Sequence, residues 1–106
     1  MVAFAWVILF GAALLEVAGD GIIRVGLRDG GWGPIVIGCL MLSFYGVAVN
    51  SMSWDFSKLL GVYVAFFALI SVLYGRFVFD EAVPASTWLG CSLIAAGGLV
   101  IYFGPK

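Results

Sequence analysis

The sequence predicts an all-α integral membrane protein, a bundle of four transmembrane helices. Of its 106 residues, 64% are hydrophobic and 10% charged, too little polar surface to cover a soluble globule. The apolar residues gather into four runs, at 2–23, 35–52, 59–79 and 87–103. Runs of roughly 17 to 22 residues give helices of about 26 to 33 Å, enough to cross a bilayer core. Most charges and helix breakers fall between the runs, so one four-helix domain filling the chain is expected.

The first run has no basic segment ahead of it and carries Glu16 in its body, features of a retained span rather than a cleaved signal peptide. In the connection "RVGLRDGGWGP", Gly30, Gly31 and Gly33 mark a flexible turn, and Pro34 suits the start of the second helix. Cys39 and Cys91 fall inside apolar runs and form no CxxC, so both read as small residues facing lipid or another helix. Asp80 and Glu81 close the third helix, Pro84 suits the start of the fourth, and Ser86 or Thr87 is placed to cap it. Trp6, Trp32, Trp54 and Trp88 lie near span ends, as an aromatic belt requires.

A formal net charge of −1 and the absence of His remove a basic patch for nucleic acid, the usual imidazole metal ligands and His-assisted catalysis. No enzyme activity, cofactor, metal or nucleic-acid partner is expected. Arg24, Arg28 and Arg76 fall on one side of the membrane, Lys58 and Lys106 on the other. That places loops one and three in the cytoplasm by a narrow margin. So even a balance also permits insertion in both orientations, and with it an antiparallel homodimer that completes the bundle.

The chemistry centres on "ALLEVAGDGIIR", residues 13–24. Glu16 lies about 20 Å along the first helix, within the hydrocarbon zone, where a charged side chain costs on the order of 2.5–3.5 kcal/mol. Desolvation there penalises the ionised form, so the carboxyl can exchange a proton for a cation. Ala12, Ala13, Gly19 and Asp20 lie near it at helical spacing and leave room beside it. A purely structural role, as one protonated interhelical hydrogen bond, is the competing reading. Asp20 shares the Glu16 face; it is either a second proton or cation site or the partner of Arg24 at i+4.

On the third helix Tyr63, Phe67, Ile70, Ser71 and Tyr74 form a stripe. Such stripes pack, but Tyr63, Phe67 and Tyr74 are also what a hydrophobic cation needs for ring contact and apolar burial. Lys58, near the start of that helix, anchors it at the interface or turns inward to oppose a cation. The fourth helix carries Gly90, Ser92, Ala96 and Gly97, small residues that permit close helix approach and make it the candidate dimer interface.

"ILFGAALLEVAG" and "TWLGCSLIAAGGLVIYFG" resemble the first and fourth helices of the small multidrug resistance family, in the drug/metabolite transporter superfamily. The resemblance implies an antiparallel homodimer in the bacterial inner (plasma) membrane that exchanges protons for small cationic compounds by alternating access, with Glu16 of both copies as the shared site. The third helix departs from the family pattern. In place of a proline-containing start it has "SWDFSKLLGVYVAFF", with Tyr63 where an aromatic is expected. Three function classes are therefore open: a proton-coupled exporter of small or hydrophobic cations, a flippase-like handler of lipid, and an accessory or structural subunit of a larger membrane complex.

Overall fold

The structure, a computed structural model, describes residues 2–105. Lys106, which entered the charge balance above, lies outside them. Four helices, α1 (Val2–Asp29), α2 (Trp32–Asn50), α3 (Phe56–Phe77) and α4 (Ala85–Phe103), make up the fold, with no strand among the described residues. All four are long and apolar enough to cross a membrane. The chain forms two compact units that divide between Met52 and Ser53, α1 with α2 and α3 with α4.

Each helix differs from its apolar run at the ends, because helical hydrogen bonding does not require apolar side chains. The first run stops at residue 23, yet α1 continues to Asp29 with Arg28 in its last turn, where a cation favours the helix dipole. Its 28 residues give a rod of about 42 Å, longer than a bilayer core is thick. The turn after it is narrower than expected. Gly30 takes φ +75° and the Gly31 amide donates to the Gly26 carbonyl at 2.9 Å, a glycine-terminated cap, so Gly33 already belongs to α2. Pro34 sits in the first turn of α2, where its missing N–H removes no helical bond.

α2 ends at Asn50, two residues before its run does. The Asn50 side-chain amide donates to the Gly46 carbonyl at 2.9 Å and the Ser51 hydroxyl to that of Ala48 at 2.6 Å. α3 starts three residues before its run, at Phe56, and ends at Phe77, two residues short. Asp80 follows with φ +55°, a left-handed conformation that aspartate tolerates better than most residues. The Glu81 amide reaches back to the Gly75 carbonyl at 3.0 Å, and a Cβ at Gly75 would lie 2.5 Å from Glu81 Oε1. α4 begins at Ala85 with Pro84 as its N-cap residue. Ser86 and Thr87 are therefore inside the first turn, and the cap expected of them is not formed. The fixed φ of Pro84 starts the helix instead.

Within the first unit the two helices run antiparallel and close. A Cβ on Gly26 would meet Ile35 Cγ1 at 2.8 Å, and one on Gly19 would meet Gly38 O and Met41 Cβ, both at 3.2 Å, and Leu42 Cδ2 at 3.3 Å. One on Gly38 would lie 2.7 Å from the Gly19 carbonyl and closer still to Ile23 Cγ1. Glycine at both positions is thus what lets the backbones touch, as small residues do between membrane helices. In the second unit, a Cβ on Gly98 would lie 3.0 Å from that of Ala65, and one on Gly61 would lie 2.6 Å from Ile101 Cδ1.

Gly38→Ala is expected to destabilise the first unit by about 1–3 kcal/mol through overpacking. Gly46→Ala, where an added Cβ meets nothing within 4 Å, is expected to be stabilising by about 0.5–1 kcal/mol. Thermal unfolding in detergent, followed by circular dichroism, checks the opposite signs.

Candidate functional site

The face of α1 that meets α2 is a seam with alternating spacings of four and three: Ala5, Leu9, Ala12, Glu16, Gly19, Ile23 and Gly26. Ala5, Leu9, Ala12, Gly19 and Gly26 are buried, as are Ala13 and Val17 beside the seam. Glu16 is half-buried among them. Its place follows from ordinary helix geometry, since residues three and four apart share a face. Of the small neighbours expected to leave room beside it, Gly19 serves a different purpose. At Gly19 the room they leave is taken by Gly38, Met41 and Leu42 of α2, so close packing rather than open space adjoins that side of the carboxyl.

The pairing of Gly26 with Ile35, Ile23 with Gly38 and Gly19 with Leu42 fixes an antiparallel register. Each step back along α1 matches an equal step forward along α2. Continued one turn, that register sets Tyr45 opposite Glu16, and after another it sets buried Val49 opposite buried Ala12. Tyr45 is half-buried at that position of α2. Sequence reading passed over it, because no motif surrounds it. The signal was the matched glycines at 19 and 38, which set the register once their contact is known.

Asp20 and Arg24 are exposed on α1, one turn apart and beyond Glu16 toward the end of the helix. Tyr63, Phe67 and Tyr74 belong to the second unit. Tyr63 is 3% exposed, and its ring lies 6.5 Å from that of Phe67, which is half-buried. Tyr74 is also half-buried, but its ring contact is with Phe79 at 5.7 Å, past the end of α3. The stripe therefore divides into a Tyr63–Phe67 pair in the helix body and a Tyr74–Phe79 pair at its end.

Gly90, Ser92, Ala96 and Gly97 of α4 all lie off the stripe of that helix that is buried. Cys91 and Gly98 are the buried positions, and Gly98 faces Ala65 of α3. Relative to that face, Ser92 and Ala96 lie on one flank of the helix and Gly90 and Gly97 on the other, at roughly 100° per residue. Ser92, Ala96 and Gly97 are exposed, Gly90 is half-exposed, and an added Cβ on either glycine meets nothing within 4 Å. The Ser92 hydroxyl donates to the Trp88 carbonyl of its own helix at 2.9 Å. Of the two cysteines, both free thiols, Cys39 is exposed and Cys91 buried.

No protein-family model and no solved structure matches the chain. Two curated proteins are similar over nearly its whole length. A UPF0060 membrane protein of Clostridium beijerinckii is 31% identical over 99 residues, spanning 90% of this chain and 88% of that protein. A UPF0060 membrane protein of Synechocystis sp. is 26% identical over 97 residues, spanning 90% of this chain and 89% of the relative. Four apolar helices of spanning length and these near-full-length matches make the chain an integral membrane protein, and it belongs to the UPF0060 family of membrane proteins.

Proposed function

We propose that this protein is a proton-coupled transporter, rather than an enzyme, and that it exports small or hydrophobic cations by alternating access. The observation that carries the reading is Glu16, a half-buried carboxylate in the body of a membrane span, on the face where α1 meets α2. An ionisable group at that depth is costly, and in membrane proteins such groups mark ion and substrate pathways. A proton and an organic cation both neutralise a carboxylate. Because they compete for one charge, binding of one releases the other, which is the coupling an antiporter needs.

The resemblance of the first and fourth helices to the small multidrug resistance family supports the same reading and extends it to an antiparallel homodimer, each copy contributing its Glu16. The exposed small residues on α4 offer surfaces on which a second copy can pack closely. Asp20, exposed one turn beyond Glu16, suits a relay toward the end of the helix better than a second buried site.

The test is proton release from purified protein in weakly buffered detergent on addition of tetraphenylphosphonium. Wild type is expected to release protons in proportion to the cation bound, and Glu16→Gln to release none while keeping its helix content. Equal release from the two proteins contradicts the antiporter reading, and binding of the cation without release points to the accessory-subunit alternative.

A further inference from the structure

The start of α3 and the end of α4 line a half-open cavity of about 650 Å³, formed by residues of the second unit alone. Its polar wall carries Ser53, Asp55, Ser57 and Lys58, and its apolar wall Val100 and Ile101. It lies at the first turn of one span and the last of another, the level at which span length places the headgroups. The Lys58 ammonium is held there. Its Nζ lies 5.4 Å from the centre of the Trp54 ring and 5.3 Å from that of Tyr102, and the two rings are 5.9 Å apart. Two aromatic faces fix the cation electrostatically at the edge of the membrane, where tryptophan and tyrosine reside.

Two further features set the chemistry of this cavity. The first helical bond of α3 runs from the Leu59 amide to the Asp55 carbonyl, and the Asp55 side chain makes no capping bond. The first-turn amides are thus left to other acceptors, at the positive end of a 22-residue helix. The Asp55 carboxylate, exposed and lining the same cavity, is likewise not spent on the helix. An anion receptor of one ammonium, serine hydroxyls and helix amides therefore adjoins a single carboxylate. The exposed apolar side chains of Val100, Ile101 and Phe103 continue from it along α4.

We propose that this cavity binds the phosphoethanolamine headgroup of a membrane phospholipid. The phosphate takes Lys58, the serine hydroxyls and the α3 amides. The primary ammonium of ethanolamine donates to Asp55, and the acyl chains lie along Val100 and Ile101. A choline headgroup fits less well for two reasons. Its quaternary nitrogen has no N–H for Asp55, and Lys58 already covers the two aromatic faces that could otherwise cage it. A glycerol headgroup leaves Asp55 opposing the phosphate without compensation. The inference is independent of the transport reading, since it uses no residue of α1.

Lipid titrations of the full chain in detergent, read by native mass spectrometry, test it. Phosphatidylethanolamine is expected to be retained about threefold more strongly than phosphatidylcholine, the scale of one exposed charge pair. Lys58→Ala is expected to weaken both about fivefold, and Lys58→Arg, which keeps charge and ring stacking, to weaken neither much. Asp55→Asn is expected to erase the difference between the two lipids and to improve retention of phosphatidylglycerol. Excess inorganic phosphate is expected to leave the lipid bound. Equal retention of ethanolamine and choline lipids by wild type, or an unchanged preference in Asp55→Asn, overturns the proposal even if Lys58→Ala fails to fold. Displacement by inorganic phosphate overturns its commitment to a lipid.

Discussion

The hydrocarbon interior of a bilayer offers no hydrogen-bond partner to a peptide group, and the architecture of this chain depends on that constraint. Every span is a helix, which satisfies its own backbone. The polar side chains within the spans obey the same rule locally. Ser43 donates to the Cys39 carbonyl, Ser71 to Ala68 and Ser92 to Trp88, each within its own helix. Glu16 differs in kind, because an ionised carboxylate accepts hydrogen bonds but has none to donate to a backbone carbonyl. Its position on the α1 seam, half-buried and between Ala12 and Gly19, is thus the most consequential placement in the first unit.

Much of this was legible from residue types alone. The four apolar runs marked the four helices because length and composition decide a span without tertiary information. Their ends were less legible. Helix formation continues through Arg24, Arg28 and Asp29, and through Phe56, Ser57 and Lys58, wherever the next amide has an acceptor, and hydropathy does not register that. The cap of α4 is a related case: Ser86 and Thr87 have the right chemistry, but Pro84 with its fixed φ already occupies the N-cap position.

Pairing between helices was the least legible. Gly19 and Gly38 are ordinary small residues in a glycine-rich sequence, and only their contact shows that they set the register which brings Tyr45 to the level of Glu16. The fourth helix illustrates the same point. Its small residues do not by themselves say which side packs on α3, whereas burial of Cys91 and Gly98 marks that side and leaves Ser92, Ala96 and Gly97 exposed. Lys58 shows that an anchoring residue can also be a fixed one, since Trp54 and Tyr102 determine where its charge sits.

The central claim, that Glu16 exchanges its proton for a cation, can be followed at the carboxyl itself. Glu16 and Glu81 are the two glutamates of the sequence, so Glu81→Gln with glutamate labelled at the side-chain carboxyl carbon leaves a single reporter. At a pH where that signal is in its protonated position, adding tetraphenylphosphonium is predicted to move it to the carboxylate position, and washing out the cation to return it. A signal that stays protonated while the cation binds elsewhere on the protein would contradict the account.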